Sequence, residues 1–321
     1  MPATPPPGRR PPSRDRDQRR AERDDRRTAR EPISLGAVNI EELDDQPRPV
    51  KVKRLLSLGI AGLALLLASG LVVGAQTVKS SYAVVIFGVQ LLFVATWTVA
   101  SRPPAPRVVF GVGVAVGIAA DVAAVIVRPA SLAPLGYVTA AGFIVGVIGQ
   151  LSRPAGRIRV TESLGSSLIV SLGAVSFATL IVLSKQPAGT QSIVACLAAA
   201  GVAVAFARLA DIVAPIPRMS PQVPRGGFGV VLGAMAGTAA AGAVGGFLDG
   251  IAPQKAAIAG LVTAIVAVMV DLSIGYAEAS RHIDGDAPAL WIARHMQGPL
   301  TAFAFAAPAA YAASALLLLQ T

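Results

Sequence analysis

The side chains of this sequence that could do chemistry fall in two short segments. The first, 208–233, reads RLADIVAPIPRMSPQVPRGGFGVVLG and holds Asp211, Arg218, Ser220 and Arg225 around a proline-rich turn. The second, 271–295, holds Asp271, Glu278, His282, Asp284, Asp286, Arg294 and His295. Carboxylates at this density can hold a hard divalent cation; the same residues can equally form a solvated loop. Arginines suit phosphate, because a guanidinium presents a fixed fork of donors to an oxyanion. Arg218, Arg225 and Arg294 are therefore the candidate contacts to a lipid phosphate. Asp121 stands apart, inside an apolar run with no evident partner in its own helix. An acid at membrane depth is costly and faces a partner or a wet cavity, so Asp121 is either a proton or ion site or a hydrogen-bonded structural residue. Paired with Asp271, it would suit a transport relay, but no internal repeat accompanies the two. No phosphate-cradling glycine loop and no Ser-His-Asp constellation can be argued from spacing. One cysteine, Cys196, and two histidines rule out an internal disulfide framework and disfavour structural zinc.

These residues need a frame, and composition indicates its class. The chain of 321 residues is 54% hydrophobic and only 14% charged, too little charge for a water-facing surface. Nine apolar runs lie near 55–75, 82–100, 108–127, 133–151, 164–184, 192–207, 227–248, 256–276 and 298–319. A helix needs about 20 residues to cross a hydrocarbon layer of about 30 Å, and the run at 192–207 is the shortest. The runs are continuous rather than alternating, which selects helices. The expected fold is an all-α polytopic membrane protein with about nine transmembrane helices.

Charge sets the expected orientation. With the N-terminus in the cytoplasm, ten arginines from Arg102 to Arg294 fall on that side, against Lys79, Arg128, Lys185 and Lys255 on the other. Residues 1–53 are rich in Pro, Arg and Asp and poor in apolar side chains, and are expected to be a disordered basic cytoplasmic tail. Residues 54–321 are the expected membrane domain. The net charge of +10 does not argue for nucleic acid, since the tail interleaves its cations with acids and the other cations sit between apolar runs. Gly229, Gly233, Gly237, Ala241 and Gly245 recur every fourth residue, which puts small residues on one helix face. That face suits close packing of a neighbouring helix or of a second copy.

Ser220-Pro221, then Gly227-Phe228 and a glycine-rich helix, resemble the phosphatidate cytidylyltransferase (CDP-diacylglycerol synthase) family. Asp271-Leu272 and Ala306-Ala307-Pro308 match the frame of its C-terminal signature, and Asp211 falls near its acid ahead of Ser-Pro. The resemblance covers roughly 205–321, and the earlier helices only in outline. It implies a plasma-membrane location, transfer of a cytidylyl group from CTP to phosphatidate, and Mg ions held by carboxylates, with Asp211 and Asp271 as the metal candidates. The sequence departs where that chemistry would sit. The family's two lysines fall on Gln222 and Val223, and its Glu on Gly226. Its Lys-Asp pair falls on Asp284 and Gly285, its Gly-His-Gly-Gly on Ile292 to His295, and its last two aspartates on Gly298 and Thr301. The expectation is a degenerate member without catalysis or cofactor. It would bind lipid, or act as a scaffold or regulatory partner in envelope lipid or cell-wall synthesis. Its partners would be membrane lipids, another membrane protein or a second copy. The rivals are an active CTP:phosphatidate cytidylyltransferase using Asp271, Asp284, Asp286 and Mg, and a transporter of lipid or a small solute.

Overall fold

The computed structural model describes residues 52–153, 159–218, 220–284 and 290–317. These form nine helices: α1 (Arg54–Ala75), α2 (Lys79–Ser101), α3 (Pro106–Ile126), α4 (Ala133–Leu151), α5 (Val160–Ser184), α6 (Gly189–Val213), α7 (Gly227–Phe247), α8 (Pro253–Ile283) and α9 (Trp291–Leu317). Each is long and apolar enough to cross a membrane. The all-α polytopic expectation holds. The tail through residue 51 lies outside the described residues, and so does Asp286.

Helices α2, α3, α4 and α5 pack on one another, and α6, α7 and α8 form a second group with α1; α9 touches both. Helices α5 and α6 are the most buried. Phe93, Phe177, Leu180, Leu197 and Phe303 are among the large side chains of the common core.

The helices outrun the apolar runs in the places that matter for chemistry. Helix α6 has 25 residues and carries Arg208 and Asp211 inside it, whereas its apolar run ends at 207. Helix α8 continues to Ile283, and α9 begins at Trp291, seven residues before its apolar run. Every backbone group at membrane depth needs a partner, so extending a helix is cheaper than fraying it. Charged residues are admitted where other helices supply counter-charges.

The glycine stripe of α7 is consumed inside the chain. A Cβ at Gly229, Gly233 or Gly237 would lie 2.9, 2.6 and 2.6 Å from the carbonyl oxygens of Ala207, Ala203 and Ala199 on α6. Only a glycine lets the two backbones approach this closely, close enough for Cα–H···O contacts. The pairing steps four residues on each helix in opposite directions, so it fixes an antiparallel register. One turn beyond Ala207 that register sets Asp211 against the start of α7. Gly237→Ile is expected to force α7 off α6, at a cost at or above the roughly 1–3 kcal/mol of core overpacking. The check is loss of the monodisperse peak in detergent size-exclusion chromatography.

Candidate functional site

Four charged side chains meet at the joint of α6, α7, α8 and α9. Arg208 grips Asp271 with both arms of its guanidinium, Nε donating to Oδ2 at 2.9 Å and Nη2 to Oδ1 at 2.6 Å. Arg225, in the loop before α7, donates from Nη1 to Asp271 Oδ2 at 2.7 Å. Its Nε forms a close ion pair with Asp211 Oδ2 at 2.5 Å. The Gly226 backbone N–H donates to the other oxygen, Asp211 Oδ1, at 2.9 Å. The quartet is electrically neutral, and Asp211, Arg225 and Asp271 are buried. Burial opposes the charge on Arg225, but the Asp271 and Asp211 carboxylates outweigh it and hold the guanidinium above its ordinary range.

The backbone was shaped to admit these groups. Glycine at 229 leaves room for Asp211 Oδ1, which a Cβ there would meet at 2.6 Å. Glycine at 298 does the same on α9, where a Cβ would collide with Asp271 Oδ1 and crowd Arg208 Nη2 at 3.3 Å. At Gly226 a Cβ would strike backbone, 2.5 Å from both Ile216 N and Pro215 C. Opposite, the Gly227 N–H donates to Pro217 O at 3.0 Å and the Phe228 N–H to Ile216 O at 3.1 Å. The proline-rich turn is thereby folded back onto the start of α7, which delivers Arg225 to the two acids.

A cavity of about 420 Å³ opens above the quartet. Lys53, Arg208, Arg225 and Arg294 line it, with Glu278 as the one acid in the wall among the described residues. Counting Asp211 and Asp271 as well, four cations face three carboxylates among the described residues, one positive charge in excess. Arg225 Nη2 is buried and has no hydrogen-bond partner among the described residues. Arg294 is ion-paired to Glu278. His295 donates from Nδ1 to Trp291 O at 2.6 Å and packs on the Trp291 ring, centroids 5.1 Å apart. Leu56, Ile60 and Ile274 are among the apolar side chains of the wall, and Ser57 and Gln222 are polar members of it.

The sequence candidates divide accordingly. Asp211, Asp271 and Arg225 come together, and Arg294 joins them across the cavity. Arg218 is absent from the lining; its backbone bridges Gly226. Ser220 Oγ bonds to Gln222 Oε1, within the turn. Phe228 is on α7, half-exposed. Asp284 is exposed just past the end of α8, thirteen residues after Asp271, which is about 20 Å along a helix axis. Asp271 and Asp284 therefore cannot ligate one ion. Sequence reasoning gave Lys53 no site role and took Arg208 only as a topology signal. An Arg and an Asp three residues apart at the end of an apolar run, with a third charge in another run, was the available signal.

Asp121 belongs elsewhere. Gln90 of α2 donates from Nε2 to Asp121 Oδ1 at 2.8 Å and to Ala174 O of α5 at 3.0 Å. Asp121 and Asp271 share no partner among the described residues.

Magnesium does not fit at the quartet. A divalent ion needs several free oxygens, and here both Asp271 oxygens accept from guanidinium groups while Asp211 is held by Arg225 and the Gly226 N–H. Among the described residues no three His, Cys, Asp or Glu side chains are close enough to share a metal. No protein-family model, curated protein or solved structure matches the chain.

Proposed function

We propose that this protein binds an anionic phospholipid on a phosphatidate cytidylyltransferase-type scaffold and performs no nucleotidyl transfer. The observation that carries the reading is Arg225, whose guanidinium sits between Asp211 and Asp271. Two carboxylates that would otherwise hold metal are satisfied by a built-in cation. The excess positive charge, the unpartnered Arg225 Nη2 and the apolar walls suit a phosphate carried on a hydrocarbon body. Lys53 and Arg294 are its outer contacts and Arg225 its inner one. The arginine-rich side is the cytoplasmic face of the plasma membrane in this reading. Its role is to hold or present a lipid, as a scaffold or regulatory partner in envelope lipid or cell-wall synthesis.

Incubation of the purified protein with CTP, phosphatidate and magnesium is expected to form no CDP-diacylglycerol above the blank. Robust product formation would overturn the proposal. Native mass spectrometry from mixed-lipid nanodiscs is expected to retain an anionic phospholipid over phosphatidylcholine. Retention is expected to weaken in Lys53→Ala, which removes an exposed cation at the cavity wall.

A further inference from the structure

Beside the cationic cavity runs a second, apolar one. It has a volume of about 450 Å³ and lies between α1 and α9, lined by Leu55, Gly59 and Leu63 on one side and Ile292 and Met296 on the other. It shares Leu56, Ile60, Trp291 and His295 with the cationic cavity, so the two adjoin along a common wall. A Cβ on Gly59 would meet nothing within 4 Å; the glycine leaves the groove open where a side chain would fill it. Leu55, Trp291 and Ile292 are strongly exposed. Exposed apolar groups at the end of a membrane helix face lipid, and a tryptophan there sits at headgroup level. From Leu55 to Leu63 is eight residues, about 12 Å along the helix, so the groove runs from headgroup level into the hydrocarbon.

We infer that this groove receives one acyl chain of the phospholipid whose phosphate lies in the adjoining cavity, so that the lipid is drawn in sideways from the leaflet between α1 and α9. The inference rests on the lipid-binding reading above and adds the route and the seat of the tail. The occupant follows from continuity and charge. A soluble phosphate ester would use the cationic cavity and leave about the same volume of apolar groove unfilled, whereas a membrane lipid fills both at once. Glu278, paired with Arg294 at the cavity wall, disfavours a second negative charge there. A lipid with a single phosphate charge is therefore preferred over one with several.

The test uses the full chain in nanodiscs with a phosphatidylglycerol analogue bearing a diazirine midway along one acyl chain. After irradiation, cross-links are expected on the α1 and α9 peptides that contain Gly59, Leu63 and Met296. A phosphatidylcholine analogue is expected to label them far less. Gly59→Phe, placed in the open groove, is expected to cut retention of the anionic lipid by about tenfold, with an unchanged size-exclusion profile. Anionic lipid that is retained but labels other helices, and survives Gly59→Phe, overturns the tail route and leaves the lipid-binding reading standing. Equal labelling by both lipids, with no selective retention in wild type, overturns both. The wild-type cross-link map decides the matter even where Gly59→Phe fails to fold.

Discussion

Replacing Arg225 with alanine is expected to lower the unfolding free energy by about 3–5 kcal/mol, the usual cost of removing one partner from a buried charge pair. Arg225 is 3% exposed and answers two acids. Without it, Asp211 keeps only the Gly226 N–H and Asp271 keeps only Arg208. A neutral site then becomes a buried site with one uncompensated negative charge. Lysine at 225 is expected to recover only part of the loss, because a single ammonium lacks the fork that spans both carboxylates. The combination Arg225→Met with Asp211→Asn is expected to recover more than lysine does, since it removes a charge of each sign together. Chemical unfolding in detergent micelles, followed by circular dichroism, measures all three. An Arg225→Ala variant within about 0.5 kcal/mol of the parent, the ordinary range for surface substitutions, would show that the quartet does not hold the α6–α7 turn.

The fold was largely legible because its signal is long and redundant. Nine apolar runs leave few alternatives to nine helices, and errors of up to seven residues at their ends do not change the count. The site was legible in its residue types but not in its pairings. Asp211, Arg225 and Asp271 could each be named from the sequence, yet their spacing of 14 and 46 positions gives no hint that they touch. Arg208 was hidden by its own context: an arginine at the end of an apolar run reads as a topology signal, and only the extra length of α6 places it inside the helix beside Asp271. Lys53 was hidden in a basic tail where no single cation stands out. The stripe of α7 was ambiguous between a neighbouring helix and a second copy until its contacts with the Ala199, Ala203 and Ala207 carbonyls were seen. The partner of Asp121 was out of reach, since Gln90 is one amide among many polar side chains until α2 and α3 are packed.

The residues that stand where the proposed resemblance would put acids fit one another, and this gives the second large effect. Where the resemblance would place a Glu, Gly226 passes against the backbone of Ile216 and Pro215 and gives its N–H to Asp211. Where it would place an Asp, Gly298 clears space for Asp271 and Arg208. Introducing those acids one at a time is therefore expected to destroy the site. Gly226→Glu must push the turn open, which also displaces Arg225 next to it. Gly298→Asp sets a third carboxylate against Asp271, where like charges repel and neither is solvated. Each is expected to cost more than about 4 kcal/mol, the range reserved for steric and charge conflicts in a core, and neither is expected to confer turnover of CTP with magnesium. Gly246→Ala supplies the control. Its Cβ would meet nothing within 4 Å, so its unfolding midpoint is expected to match or exceed the parent's, as alanine favours a helix over glycine. A folded, stable Gly298→Asp protein would mean that the space beside Asp271 was never needed by Arg208. If the guanidinium groups hold the site as described, acids are tolerated there only after Arg208 or Arg225 has been removed, because the same oxygens cannot serve both an arginine and a metal.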